Sequence, residues 1–274
     1  MRALKRVAIW EGVNKDIFQN DIQPLHEPAI LKGLVKHWPS VQKSKQGNDS
    51  FFDYLSTVYA GGAVRFAKMP ASEGGRFFYN KAMTGFNFER LIGSYEDFIG
   101  LLRKAENEDV VDTVAIQSAP INDYYPKFLE HNNFDIFSES VVARCWIGGR
   151  SIVQAHYDDA ENIACVVQGK RRFVLFPPEQ IENLYVGPLE FTPAGAPISM
   201  VNLNAPDWDK FPKFRQALNH ALVADLEPGD AIYIPSLWWH HVEALGPTNM
   251  LVNFWSGGSI AGKVKPVPAD TLLM

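Results

Sequence analysis

The sequence predicts a mainly β fold with added helices, a sandwich or barrel built from many short strands. Three observations predict it. From residue 140 onward the chain runs through β-type segments such as SVVARCWI, FVLFPP and NMLVNFW, each followed by glycine or proline turns. The segments that read as helix, 49–62 and 87–107, both lie before that point. A hydrophobic fraction of 46% and a charged fraction of 21% over 274 residues are those of a globular chain with a sizeable core.

The elements follow in order. In EPAILKGLVKHWP the run Ala29-Ile30-Leu31 reads as a strand, with Trp38-Pro39 as a stop. DSFFDYLSTVYAGG is expected to be a helix capped by Asp49 or Ser50 and ended by Gly61-Gly62. AVRFAKMP (63–70) and GRFFYNKAM (75–83) read as strands, and residues 87–107 hold a helix with Phe98, Leu101 and Leu102 at helical spacing. TVAIQSAPI (113–121) is a strand ending at Pro120. SVVARCWIGGRSIVQAHYD gives two strands about Gly148-Gly149, and NIACVVQGKRRFVLFPP (162–178) reads as a hairpin turning near Gly169. Residues 179–220, rich in Pro and Asn, form a long insertion of the kind that often carries function. ALVADLEPGDAIYIPSLWWHHVEAL places a turn at 227–230 between strands, and NMLVNFWSGG is a last strand.

A net charge of −5 argues against a general nucleic-acid binder. Two cysteines, Cys145 and Cys165, are too few for a disulfide framework and read as reduced thiols. The N-terminal MRALKRVAIWEG lacks an apolar signal-peptide core, and no apolar run reaches membrane-spanning length. The cytoplasm is the expected compartment.

The chemistry concentrates in two places. In SIVQAHYDDAEN, His156 and Asp158 stand two apart, so on a strand both side chains project from one face with Tyr157 on the other. In PSLWWHHVEA a histidine pair, His240 and His241, follows two tryptophans. Two histidines and one carboxylate on one face of an ion leave positions open, as in non-haem Fe(II) oxygenases, and zinc accepts similar ligands.

The segments PAILKGLVKHWP, WIGG, AHYDDAEN, VVQGKRRFVLFPPEQ, PDWDKFPKF, LEPGDAIYIPSLWWHHVEA and VNFWSGG carry a resemblance in both order and spacing. Over roughly residues 20–258 the chain resembles the JmjC-domain, cupin-like 2-oxoglutarate/Fe(II) oxygenases. The likeness is greatest to the branch containing the asparaginyl hydroxylase of the hypoxia-inducible factor. The resemblance implies a double-stranded β-helix, or jelly roll. It implies one such domain over 1–274: an N-terminal α/β region (1–120), the core (140–258) with its insertion (179–220), and a tail (259–274). It implies Fe(II), with 2-oxoglutarate and O2 as co-substrates, and hydroxylation of a protein side chain or a small molecule. The competing readings are a metal-binding sensor or binding module of the same fold without 2-oxoglutarate turnover, and an oxygenase with a different co-substrate. Nucleic acid and membrane are not expected partners, and the sequence specifies no oligomeric state.

Carried over by position, His156, Asp158 and His240 match the catalytic metal ligands, and His241 points away. Asn162 and Asn253 match asparagines near the co-substrate and the iron, and Trp255 matches an aromatic bordering the iron. Tyr79, Gln117 and Trp255 are the expected substrate contacts. The family often places a lysine fifteen residues after the first ligand, to hold the far carboxylate of 2-oxoglutarate; here that position is Arg171, flanked by Lys170 and Arg172. Strand alternation favours Arg171, and a register shift of one would give the role to a neighbour. Two hydroxyl donors of that branch are replaced, by Val153 and near Ala115.

Overall fold

The computed structural model describes residues 4–108, 110–137 and 141–257; the expected tail at 259–274 lies outside the described residues. Its strands are Lys5–Arg6 (β1), Ala8–Glu11 (β2), Ala29–Lys32 (β3), Ala63–Met69 (β4), Arg76–Phe77 (β5), Glu89–Ser94 (β6), Thr113–Pro120 (β7), Val141–Gly148 (β8), Ser151–His156 (β9), Glu161–Gln168 (β10), Arg171–Phe176 (β11), Leu222–Leu226 (β12), Ala231–Ile234 (β13), Trp239–Ala244 (β14) and Asn249–Ser256 (β15). They form a six-stranded sheet, β1-β12-β11-β14-β9-β5, and a nine-stranded sheet, β2-β3-β13-β10-β15-β8-β7-β4-β6. Strands β8 to β15 give the order β8-β15-β10-β13 in one sheet and β9-β14-β11-β12 in the other. This is the jelly roll the resemblance implies, two Greek keys closed face to face.

Strand alternation sorts the core into layers. Ala164, Val166, Phe173, Leu175, Ile232, Val242 and Leu251 fill the space between the two sheets. The alternate residues Cys145, Ile147, Ile163, Cys165, Val252 and Phe254 face outward from the large sheet. That face is covered by helix Asn48–Val58 through Phe51, Phe52 and Leu55, and by helix Tyr95–Asn107 through Phe98, Ile99 and Leu102. Each such side chain, fully buried, stabilises by about 1.5–3 kcal/mol. Both cysteines are buried free thiols in this outer layer, and burial pushes Cys145 up to about 12. Val174, Phe176 and Trp239 face outward from the small sheet and are covered from the insertion by Leu184, Phe211 and Phe214.

Several local expectations are corrected. Pro39 is not a stop: it takes the first turn of helix Pro39–Lys45, where a missing N–H costs nothing. The next helix begins after Gly47 with no side-chain cap, and it ends at Val58, before the glycine pair. Only Arg76–Phe77 of 75–83 is strand. The helix expected within 87–107 is Tyr95–Asn107, capped by Ser94, which accepts from the Asp97 N–H; residues 89–94 before it form a strand. The run 162–178 is not a hairpin, because β10 and β11 lie in different sheets. The chain turns that corner at Gly169, whose φ is +74° and whose missing Cβ would stand 2.6 Å from the Thr248 carbonyl oxygen.

A candidate metal centre

His156 ends β9 and His240 is its direct partner on β14. The imidazoles lie 4.2 Å apart, centroid to centroid. Each ring is fixed by its Nδ1: that of His156 bonds the Gln154 carbonyl at 2.8 Å, and that of His240 bonds the Trp238 carbonyl at 3.0 Å. A carbonyl can only accept, so both Nδ1 atoms carry the proton and both Nε2 lone pairs are left for a metal. Asp158, just beyond the strand end, brings Oδ2 to 3.7 Å from His240 Nε2. The same Oδ2 accepts from the Trp255 indole N–H at 3.1 Å, which holds the carboxylate in place. One ligand atom from each of His156, Asp158 and His240 lies within 4.8 Å of the others. Burial, then the neighbouring His156, pull His240 down to about 4 against the opposing pull of Asp158. The ring is therefore neutral at pH 7 and able to ligate. This donor set of two imidazoles and a carboxylate is compatible with Fe(II).

His241 faces the other way. Its Nε2 lies 3.0 Å from Glu243 Oε1, on the outer side of the small sheet. The alternation of β14 therefore separates the two histidines that the sequence left adjacent.

A cavity of about 390 Å³ opens from the triad between the sheets. Arg171 lines it and is buried, with its Nε unpartnered among the described residues. Burial alone pulls this guanidinium down to about 10. Its neighbours point out instead: Lys170 pairs with Glu227 at 2.8 Å and Arg172 with Asp225 at 2.7 Å, both exposed. Arg171 thus occupies the inward position without a hairpin, since the regular ladder of β11 with β14 sets 171, 173 and 175 on the inner face. Val153 and Val242 are paired across β9 and β14, and both line the cavity with Phe173. An irregularity in that ladder lets Val153 and His156, three residues apart, both face inward.

Asn162, Asn253 and Trp255 line the opposite wall, from the large sheet. The Asn253 amide donates to Asn162 Oδ1 at 3.1 Å, and Asn253 Oδ1 is buried without a partner among the described residues. Tyr79 and Gln117 do not line the cavity. The Tyr79 hydroxyl donates to the Phe191 carbonyl at 3.0 Å and its ring packs on Phe191, tying the insertion to the segment after β5. Ala115 also points elsewhere, into a small cluster with Met69 and Phe77.

The sequence reading missed Arg144 and Trp146, inward on β8, and Ser118, all of which line the cavity. Arg144 donates to the Ser118 carbonyl at 2.7 Å, and Ser118 sits at φ +49° in an irregular stretch of β7. The signal was the alternation of Arg144 and Trp146 with Cys145 and Ile147, legible once the inner face of β8 is known. Ala194 to Pro197 of the insertion supply an uncharged wall at the metal end.

The sequence pattern of the cupin-like domain family matches residues 15–257. HSPB1-associated protein 1 of Homo sapiens is 36% identical over 263 residues, covering 85% of this chain and 48% of that protein. JmjC domain-containing protein D of Dictyostelium discoideum is 26% identical over 259 residues, covering 89% and 54%. The tRNA wybutosine-synthesizing protein 5 of Danio rerio is 27% identical over 256 residues, covering 87% and 72%. The chain spans about half the length of the first two relatives. No helix among the described residues is long and apolar enough to cross a membrane.

Proposed function

The chain belongs to the cupin-like, JmjC-type family, and on that premise we propose that it is an Fe(II)- and 2-oxoglutarate-dependent oxygenase that hydroxylates a protein side chain or a small molecule. One observation carries the reading. A buried guanidinium, that of Arg171, with no ion-pair partner among the described residues, shares an otherwise largely apolar cavity with a His-Asp-His cluster. Such a cation is costly unless an anionic ligand completes it.

In this reading His156, Asp158 and His240 are the catalytic metal ligands. Iron with 2-oxoglutarate and O2 supplies the oxidising power, with decarboxylation of 2-oxoglutarate to succinate. The chain supplies position. The Gln154 and Trp238 carbonyls lock the ligand imidazoles as Nε2 donors. The Trp255 N–H holds the Asp158 carboxylate in position beside His240. Arg171 binds the far carboxylate, with a fork suited to two oxygens. Asn162 and Asn253, which line the cavity, bind near the metal end of the co-substrate, where Asn253 Oδ1 has no partner among the described residues. Val153, Phe173 and Val242 keep water from the stretch between metal and cation. Substrate contacts are proposed at Trp255 in the wall and, for a substrate extending beyond the cavity, at Tyr79 and Gln117.

The uncharged stretch Ala194 to Pro197 favours a protein or small-molecule substrate over a polyanion. The relative named for tRNA wybutosine synthesis makes RNA the contrasting substrate, which a salt-sensitive RNA mobility shift would reveal. A second reading, a metal-binding module without turnover, draws on the missing hydroxyl at Val153. The deciding experiment is calorimetric titration of the anaerobic Fe(II) protein with 2-oxoglutarate, followed by succinate release in air. Binding and release are expected, and absence of both removes the oxygenase reading.

A further inference from the structure

The register places the cavity walls at three depths. The first holds His156 and His240 on the small sheet, facing Trp255 and Asn162 on the large one; the Trp255–Asp158 hydrogen bond joins the two sides. The second holds Val153, Val242 and Phe173, facing Asn253 and its partner Arg144. The third holds Arg171, paired with Ala244, facing Leu251 and its partner Trp146. Ala244 lies four residues from His240, and Leu251 four from Trp255. Both third-level positions are therefore about 13 Å along their strands from the metal end.

At that depth two hydrogen-bond donors have nothing to bind. The Trp146 indole Nε1 and the Arg171 Nε are both fully buried, and neither has a partner among the described residues. Both residues line the same cavity. An indole nitrogen can only donate, and Trp146 packs among the apolar residues between the sheets. A buried N–H left unsatisfied is costly, so its place in the wall calls for an acceptor. A carboxylate offers about four lone-pair sites and can take both donors at once.

We propose that Trp146 is a co-substrate-binding residue, its indole N–H donating to the same far carboxylate that Arg171 holds. It takes over the part of the hydroxyl that Val153 lacks. The assignment rests on the 2-oxoglutarate reading above and deepens it. It comes from the large sheet, opposite the wall where the valine stands, so the carboxylate is gripped from both sheets.

The test is Trp146→Phe in the full chain, which removes the N–H and keeps most of the packing. Wild-type protein with anaerobic Fe(II) is titrated first with 2-oxoglutarate and with 2-oxopentanoate, which has the same chain length but no far carboxylate. Tight binding of 2-oxoglutarate alone is expected; its absence would overturn the parent reading and this assignment with it. In the variant, 2-oxoglutarate is expected to bind about tenfold more weakly, with iron content kept and the weak 2-oxopentanoate binding unchanged. Equal weakening of both ligands would reduce Trp146 to a packing role, and unchanged 2-oxoglutarate affinity would remove it from the site. If the variant does not fold, indole-¹⁵N spectra of the wild type decide. One of the seven tryptophan N–H signals should move downfield with 2-oxoglutarate and not with 2-oxopentanoate. No such shift overturns the proposal.

Discussion

Replacing Arg171 with methionine separates two quantities that most binding-site substitutions move together. The guanidinium is buried without an acid partner among the described residues, and burial pulls it from 12.5 to about 10. At 1.36 kcal/mol per pH unit, that drop corresponds to a burial cost on the order of 3 kcal/mol in the ligand-free protein. Methionine keeps the unbranched stem and drops the charge, so part of that cost is recovered. The ligand-free variant is expected to melt a few degrees higher, at about 2–4 °C per kcal/mol for a chain of this size. Affinity should move the other way. Losing a charge-assisted hydrogen bond costs about 1.5–3 kcal/mol, which raises the KM for 2-oxoglutarate roughly 10- to 150-fold. Iron content should not change, since Arg171 pairs four residues from His240 along the ladder. The assays are differential scanning fluorimetry without ligand, succinate release against 2-oxoglutarate concentration, and metal analysis. A variant that melts lower with an unchanged KM would make Arg171 a structural cation and refute the reasoning.

Further outcomes follow from the same geometry. Asp158→Ala and His240→Ala should each abolish Fe(II) binding and succinate release, whereas His241→Ala should keep the metal; equal loss in both histidine variants, by metal analysis, would reverse the ligand assignment. The His241–Glu243 contact, the first cause, holds the Glu243 carboxyl below its usual 4.5. The folded state therefore favours the carboxylate, so this contribution is complete above pH 4.5 and lost as pH falls below it. Glu243→Gln should flatten the decline of stability in that acid window, measured by urea midpoints at stepped pH, and an unchanged slope would deny the coupling. Arg171→Lys should weaken 2-oxoglutarate, and adding Val153→Thr should restore part of the loss; strictly additive effects in this double-mutant cycle would show that the two positions do not share a ligand.

The strands from 141 to 256 and the metal cluster were legible because they depend on local alternation and on side chains with few other uses. His156 and Asp158 stand two apart, and His240 follows a strand signal. The 162–178 segment was misread because a corner between sheets and a hairpin share one signature, two apolar runs about a glycine. Only long-range pairing tells them apart, and β11 finds its partners at β12 and β14. The strand at 89–94 was missed for the opposite reason: it buries little, so no apolar alternation marks it. Arg144 and Trp146 escaped notice because which face of β8 looks inward is decided by β15, about a hundred residues later.

The cation at the deep end explains why its neighbours could change. A lysine ammonium is a point charge with three donors that relies on nearby hydroxyls to finish a carboxylate. A guanidinium carries five donors in a plane, enough to take both oxygens and leave others over. With arginine at 171, a hydroxyl at 153 adds little, and a valine there seals the second level against water beside Phe173 and Val242. The stem of Arg171 runs along an apolar wall that includes Phe173 and Val242. In the proposed reading, the departures at 153 and 171 compensate one another. What that pair cannot supply is a donor from the facing sheet, and there the unsatisfied indole of Trp146 stands at the same depth.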